Sequence, residues 1–323
     1  MPLRSFDDLD LALLQVLQAD GRAPFSRIAE VLGVSDQTVA RRYTRLRSDG
    51  AVRVLGLTRP QAVGEEQWLV RVRCAPDAST SIARALVARN DTSWVHLVSG
   101  GAEILCMVRT SVNGDGESVL LDRLPRTPRV IGVGAHCVLH VFFGGERSAL
   151  TKNGPLTTEQ VDRLRAPVTA PPEEPVPLSE EDRRLLSALE GDGRTGNREL
   201  AARTGWSETT VRRRLAELRE SGTLYFDLDF DARRVGFGTS ATLWLSVAPS
   251  EVVAVGEALA RHPEVTFAAA TTGPANLYAN VLCRNSRALY AYLTGPVAAL
   301  AAVRQVETAP IMRTLKCAGL PIG

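Results

Sequence analysis

Asp20-Gly21-Arg22 opens a stretch that runs through Gly33-Val34-Ser35 and Thr38-Val39 to Gly50. The same stretch returns as Asp192-Gly193-Arg194, Gly205-Trp206-Ser207, Thr210-Val211 and Gly222. Equivalent residues are 172 apart at Asp20 and Asp192 and still 172 apart at Gly64 and Gly236, so no gap is needed over more than forty positions. The 323-residue chain is therefore two copies of one unit, too long for a solenoid repeat and the right size for a small domain pair. What such a unit does as a symmetric homodimer, two copies in one polypeptide can do alone.

In the first copy, Leu9, Leu13, Val16 and Leu17 fall at helical spacing, Asp7 or Asp8 can cap the first turn, and Asp20-Gly21 stops the helix. A short helix follows over about 25–32, with Ile28, Ala29 and Leu32 apolar. Gly33-Val34-Ser35 reads as a tight turn in which glycine turns left-handed and serine caps the next helix. That third helix, Asp36 to about Ser48, has Val39, Tyr43 and Leu46 as its inward stripe and Gln37, Thr38, Arg41, Thr44 and Arg45 on the exposed side. The second copy repeats the pattern with Leu185, Leu186 and Leu189, then Leu200 and Ala201. Its third helix places Val211, Leu215 and Leu218 inside and Thr209, Arg212, Arg213 and Ala216 outside.

Three short helices with a glycine turn before the third are the helix-turn-helix layout, whose last helix enters the major groove and presents its N-terminal residues to base edges. Ser, Gln, Thr and Arg suit that work, and Arg can grip guanine in two places. The bland alternative is a three-helix packing module whose arginines are a solvated face. Ser35–Ser48 carries four Arg and one acid, Ser207–Glu220 four Arg and three acids, so the second copy is expected to be the weaker reader.

The rest of each copy alternates sheet and helix. Trp68, Val70, Val72 and Cys74 share one face and Arg71 and Arg73 the other, the pattern of a half-buried strand. Pro76-Asp77 breaks it, and a helix with Ile82, Leu86 and Val87 apolar follows. Strands over about 93–99 and 103–109 turn at Gly100-Gly101, and a helix around 118–124 and a strand around 130–142 complete the order βαββαβ. In the second copy a strand over 241–247 ends at Pro249, a helix spans about 251–261, a hairpin turns at Gly273-Pro274, and a helix over 287–293 and a strand over 303–315 close the set. Between the copies, Pro155, Pro167, Pro171, Pro172, Pro175 and Pro177 make 146–177 a stiff, extended linker, with room for one or two helical turns over Thr157–Arg165. The fold class is α+β: two winged or three-helix helix-turn-helix domains (1–60 and 178–232), each followed by a ferredoxin-like βαββαβ domain (61–145 and 233–323).

Composition narrows the function classes. No apolar run approaches the ~18 residues that span a bilayer, and the N-terminus lacks a signal-peptide core, so no membrane association and a cytoplasmic location are expected. Five cysteines, Cys74, Cys106, Cys137, Cys283 and Cys317, lie in strand-like stretches with no Cys-x-x-Cys spacing, which favours reduced thiols over disulfides or a metal site. Net charge is only +2, and all basic residues but Lys152 and Lys316 are Arg, a bias that by itself says little about function. His136 and His140, on one strand, would be roughly 13 Å apart at ~3.3 Å per residue, too far to share a metal.

A helix-turn-helix followed by a βαββαβ domain resembles the leucine-responsive regulator (Lrp/AsnC) family, here over nearly the whole chain and twice. The family pattern Val-x-x-Arg-φ-x-x-Leu-x-x-x-Gly, φ being apolar or aromatic, stands as Val39, Arg42, Tyr43, Leu46 and Gly50 and again as Val211, Arg214, Leu215, Leu218 and Gly222. The resemblance implies a regulator of transcription that binds double-stranded DNA, pairs the sheets of its effector domains, here within one chain, and self-associates into higher oligomers. It implies DNA contacts from Ser35, Gln37, Thr38, Arg41, Arg42 and Arg45 and from Ser207, Thr209, Thr210, Arg212, Arg213 and Arg214, with Arg42 and Arg45 holding phosphates or bracing the fold. It also implies a small-molecule effector, often an amino acid, near the turn between the second and third strands, at Gly100, Gly101 and Glu103 and at Gly273 and Asn276. The family's Gly-x-x-Asp at that turn reads Gly100-Gly101-Ala102-Glu103 and Gly273-Pro274-Ala275-Asn276, so neither copy keeps the Asp.

No cofactor, metal or catalytic residue is expected. Two alternatives stay open. Fused pairs of similar units also occur as sirohaem decarboxylases, whose His-Asn-Tyr-x-Arg stretch is absent here, where the corresponding segment begins His262-Pro263-Glu264. An effector-binding module that has lost DNA binding is the other. Under the regulator reading the operator should be asymmetric, since Gln37, Thr44 and Arg45 become Thr209, Ala216 and Glu217, with Arg45 to Glu217 replacing a phosphate-attracting charge by a repelling one.

Overall fold

The computed structural model describes residues 6–111, 124–145, 147, 149–164, 172, 174–318 and 320–321. In chain order, the first copy contributes α1 (Asp8–Ala19), α2 (Phe25–Leu32), α3 (Asp36–Ser48), β1 (Val52–Thr58), β2 (Glu65–Cys74), α4 (Ser79–Val87), β3 (Thr92–Val98), β4 (Glu103–Ser111) and β5 (Val130–Phe143). The connection holds α5 (Ala149–Asn153) and α6 (Thr158–Asp162). The second copy contributes α7 (Glu180–Gly191), α8 (Asn197–Thr204), α9 (Glu208–Glu220), β6 (Leu224–Phe230), β7 (Thr239–Val247), α10 (Val252–Arg261), β8 (Val265–Thr271), β9 (Leu277–Cys283), α11 (Ser286–Tyr292) and β10 (Val303–Cys317). These elements form two compact units, and each unit draws on both copies: 1–64 with 145–236, and 65–144 with 237–323.

The first unit holds both helix-turn-helix segments on one core. Asp7 and Ser179 close capping boxes with Asp10 and Asp182 at the starts of α1 and α7. Gly33 and Gly205 take the left-handed conformation, and Ser35 and Ser207 accept from the backbone N–H of Thr38 and Thr210 to start α3 and α9. Leu13, Val16, Leu17, Ile28, Val39 and Leu46 of the first copy and Leu185, Leu189, Leu200, Val211 and Leu218 of the second lie in a single buried cluster. Between them runs an antiparallel ribbon, β1 with β6, in register from Val52↔Phe230 to Thr58↔Leu224. The alternation of buried Leu224, Phe226 and Leu228 with half-buried Tyr225, Asp227 and Asp229 marks β6 as a strand, but its partner lies in the other copy.

The glycines of the two Asp-Gly-Arg turns have a role beyond stopping a helix. The Gly193 N–H donates to Val54 O at 2.7 Å, and a Cβ there would stand 2.9 Å from the Leu55 carbonyl carbon. A Cβ on Gly21 would stand 2.7 Å from Val54 Cγ1. Both turns thus press directly onto the ribbon, at a distance only glycine permits.

Among the described residues of 146–177, α6 falls within the helical turns expected over Thr157–Arg165, and α5 adds a further helix before it. α5 and α6 dock against α1, Leu150 and Leu164 join the shared core, and the Leu156 N–H donates to Gln15 Oε1 at 2.8 Å. Further on, the Val176 N–H donates to Ala62 O. Leucines between the prolines supply the anchors, and α1 receives them with Leu11 and Gln15, where α7 shows water Arg183 and Ser187.

In the second unit the strand order is β10-β3-β4-β2-β5-β8-β9-β7, and β7 pairs with β10 again, so the sheet closes. The long strands make the closure. β5 pairs with β2 through Val130–Cys137 and with β8 through Val138–Phe143, while β10 pairs with β7 through Val303–Pro310 and with β3 through Ile311–Lys316. Each half is a ferredoxin-like set, and each last strand reaches into the other half. The helix expected around 118–124 falls, but for Leu124, outside the described residues. Val70, Val72, Ile82, Leu86 and Cys106 form the core under α4, and Leu69, Leu105, Met107, Trp244 and Tyr278 fill the inner face. The second face of β2, expected to face water, is covered at Leu69, which is buried, and at Arg71, which is held by ion pairs, while Arg73 is exposed.

Replacing Gly193 by Ala should destabilise the chain by about 1–3 kcal/mol through overpacking against the ribbon. Gly191→Ala, on the last residue of α7 with open space around it, should be neutral or stabilising by less than about 1 kcal/mol. Urea midpoints of the two variants check this, and equal midpoints would remove the close-approach argument.

Candidate nucleic-acid interface and effector turns

α3 and α9 sort their polar residues into two groups. On α3, Gln37, Arg41 and Thr44 are exposed, and Arg41 makes no ion pair or hydrogen bond among the described residues. Ser35 and Thr38 bond each other at the cap, Oγ to Oγ1 at 3.0 Å. Arg42 and Arg45 turn back onto α1. Arg42 Nη1 reaches Asp7 at 2.6 Å and Asp10 at 2.8 Å, and Arg45 Nη2 reaches Asp10 at 2.6 Å. Arg45 is thus not on the open face where its spacing put it. Asp10 is only 3% exposed, and a buried carboxylate needs cationic partners, which two arginines about one turn apart supply. The bond from Arg42 is the main cause that holds Asp7 below its ordinary 3.8, and the same bonds hold Arg42 above its own ordinary value.

α9 repeats the sorting with different parts. Thr209, Arg212 and Arg213 are exposed, and Ser207 and Thr210 close the cap. Arg213 is loosely paired with Glu217 at 3.7 Å. Arg214 donates to Asp182 at 2.7 and 2.9 Å and to Glu217 at 3.1 Å. Burial pushes the Asp182 carboxyl up, but Arg214 and the Ser179 N–H outweigh it, and the net direction is down. The exchange of Arg45 for Glu217 therefore changes the makeup of a brace, from Asp7, Asp10, Arg42 and Arg45 to Ser179, Asp182, Arg214 and Glu217. Outward, α9 adds Arg212 where α3 has Ala40. Of the three acids on α9, Glu217 is taken up by Arg213 and Arg214, while Glu208 and Glu220 are exposed.

Two further arginines had no role in the sequence reading. Arg47, in the last turn of α3, pairs with Asp192 at 2.7 Å, and Arg219, in the last turn of α9, pairs with Asp20 at 3.2 Å. Each recognition helix is tied to the other copy's Asp-Gly-Arg turn.

The effector turns are occupied differently. Gly100 and Gly101 have positive φ and open space around them. Glu103 is buried and accepts from Arg71 Nε at 2.7 Å and Nη2 at 3.2 Å, and from Ser99 Oγ at 3.3 Å. Arg71 also donates to Glu307 at 2.5 and 3.0 Å, and its guanidinium lies 5.1 Å from the Trp244 ring centre. At the second turn, Asn276 takes the Val247 N–H at 3.0 Å and donates to Val247 O at 2.9 Å, as a backbone amide would, while His136 Nδ1 meets Thr272 O at 2.9 Å beside Gly273. Both side chains serve the fold, and open space remains beside Gly100 and Gly101.

Two further histidines and the cysteines sit within the fold. His96 is buried against Thr314, and burial lowers its pKa to about 4; His262 bonds the Tyr292 hydroxyl at 2.9 Å. The five cysteines all lie on strands, and burial pushes the Cys106 thiol up to about 12. Among the described residues no group of three or more His, Cys, Asp or Glu could hold a metal ion, and no helix is long and apolar enough to cross a membrane.

Residues 6–47 and 178–219 both match the AsnC-type helix-turn-helix domain, and residues 240–321 match the Lrp/AsnC ligand binding domain. The regulatory protein AsnC of Escherichia coli is 31% identical over 143 residues, which make up 42% of this chain and 93% of that protein. The HTH-type transcriptional regulator FL11 of Pyrococcus horikoshii is 29% identical over 142 residues, 44% of this chain and 93% of that one. The crystal structure of the siroheme decarboxylase NirDL has the same fold, with a TM-score of 0.65 at 16% identity over 95% of this chain and 92% of that one. Fold and sites define a duplicated helix-turn-helix protein with an effector-type sheet. The chain belongs to the Lrp/AsnC family.

Replacing Arg214 by Ala should cost about 2–3 kcal/mol at neutral pH, because Asp182 stays buried without a cation. Arg42→Ala should cost less, since Arg45 still serves Asp10. The folded pKa of Asp182 lies below its ordinary 3.8, so the brace is fully present above that value and fades as pH falls through the folded one. The Arg214→Ala deficit should shrink accordingly in urea titrations below about pH 4. A deficit of the same size at pH 3 and pH 7 would contradict the brace.

Proposed function

We propose that the protein is a cytoplasmic, sequence-specific transcriptional regulator that binds double-stranded DNA as a pseudo-dimer and responds to a small molecule. One observation carries the reading: both halves of the helix-turn-helix unit match the AsnC-type domain, and each third helix keeps an exposed outward set, Gln37, Arg41 and Thr44 or Thr209, Arg212 and Arg213. Arg41 and Gln37 read bases on one side and Arg212, Arg213 and Thr209 on the other. Because the two sets differ, the half-sites differ in sequence. Exposed Leu139 and Met312, on β5 and β10, support association of several chains through the sheet.

Genome-wide recovery of bound DNA should give enriched, non-palindromic sites, and Arg41→Ala should lose about 1–3 kcal/mol and relax specificity at one base pair. No enriched site, together with a tetrapyrrole that co-purifies, would move the protein to the enzymatic reading that the whole-chain fold of NirDL keeps open.

The effector docks its acidic end on the Gly100-Gly101 amides. The Glu103 carboxylate is buried and already held by Arg71 and Ser99, so it is not open to an ammonium group on the ligand. In thermal shift, small carboxylic acids should raise the melting temperature as much as the corresponding amino acids do, and light scattering should report any change in assembly. A shift seen with amino acids and lost with their deaminated analogues would sink this assignment.

A further inference from the structure

The inference concerns how the two helices meet DNA together, and it rests on the reading of α3 and α9 as DNA readers. In the first unit, Arg22 and Arg194 exchange places across the copies. Arg22 Nη1 donates to Gly193 O at 2.6 Å and Thr195 O at 3.0 Å, and its Nη2 to Asn197 Oδ1 at 3.3 Å. Arg194 donates to Gly21 O at 2.6 Å and Ala23 O at 3.0 Å. Each guanidinium also lies against aromatic rings, Arg22 on Phe226 and Arg194 on Phe25 and Tyr43. Burial lowers the pKa of both, as expected of cations removed from water. The ion pairs Arg47–Asp192 and Arg219–Asp20 add a second reciprocal tie directly on the recognition helices.

We infer that the helix-turn-helix pair is a caliper of fixed opening, in which Arg22, Arg194, Arg47 and Arg219 are positioning residues that set the half-site spacing the protein accepts. To turn one half against the other, the chain must orphan buried carbonyls, break a seven-residue ribbon and reopen one continuous core. A tethered pair of independent domains has none of these restraints and follows its half-sites wherever the linker reaches. Spacing is therefore a specificity determinant in its own right, read without any contact to the intervening base pairs. An effector then acts on this protein through affinity or assembly, with the opening between α3 and α9 unchanged.

The test is a spacing series on the full chain at fixed salt, starting from a recovered operator and inserting or removing base pairs between the half-sites. Each base pair moves a half-site by about 3.4 Å and turns it by about 35°. A change of one or two pairs should weaken binding about tenfold, and a change of five, which puts the second half-site on the far face, about a hundredfold, down to the affinity of a single half-site. Affinities within about threefold across the series, with the original operator still bound more tightly than a single half-site, would overturn the caliper and leave the regulator reading intact. Failure to bind any recovered DNA would remove that reading and the caliper with it. The double variant Arg22→Gln with Arg194→Gln keeps the ribbon and the core and should therefore reduce the one-pair penalty without abolishing it; an unchanged penalty would take these two arginines out of the caliper. If that variant does not fold, the series on the unmodified chain decides.

Discussion

Each arginine of the two Asp-Gly-Arg turns is spent in the other copy, and the first unit depends on that exchange. All three residues of the motif take part. Asp20 and Asp192 accept from the N–H of Arg22 and Arg194 to set the turn, and receive Arg219 and Arg47 from the opposite recognition helix. Gly21 and Gly193 let the turns touch the ribbon. The arginines then satisfy carbonyls that the ribbon has hidden from water. If any one of the three changes, the other two lose their partner or their space.

Much of this architecture could be read in the sequence because it is local. The apolar spacing of Val39, Tyr43 and Leu46 and the glycine turns at Gly33 and Gly205 depend on neighbours a few residues away, and the structure places them as read. The parts that escaped depend on partners far along the chain. β1 and β6 each need a strand about 170 residues away, and Asp10 and Asp182 look like capping acids until the arginine of a later helix is seen on them. The anchoring of the linker escaped for the opposite reason: its prolines are conspicuous, while Leu150, Leu156 and Leu164 give no periodic signal over so short a span.

Site residues divided along the same line. Gln37, Arg41, Arg212 and Arg213 needed only helical periodicity to be placed outward, and they are outward. Arg42, Arg45 and Arg214 have the same chemistry and nearly the same spacing, yet buried carboxylates on α1 and α7 claim them. Composition cannot separate an arginine that reads a base from one that braces a helix, because the difference lies in which acid sits within reach. Glu103 followed the same rule, since its role turns on Arg71 of the neighbouring strand.

Fusion of the copies explains why such differences are tolerated at the centre of the second unit. Arg71 and Trp244 are equivalent residues of the two copies: each pairs in register with the equivalent of the other's neighbour, Leu105 or Tyr278 on one side and Gly134 or Glu307 on the other. They also touch each other, so they lie where the two halves meet about their approximate axis. In a homodimer the same position would face itself. Two arginines would then oppose each other at about 5 Å, a like-charge contact that costs several kcal/mol in a covered site, unless acids from both sides arrived to offset it. Here one copy supplies the cation, the other the ring that covers it, and Glu307 and Glu103, one from each copy, both hold its guanidinium. A self-complementary interface cannot hold that arrangement. A duplicated chain can, and the same freedom lets α3 and α9 present different residues to the two ends of one site.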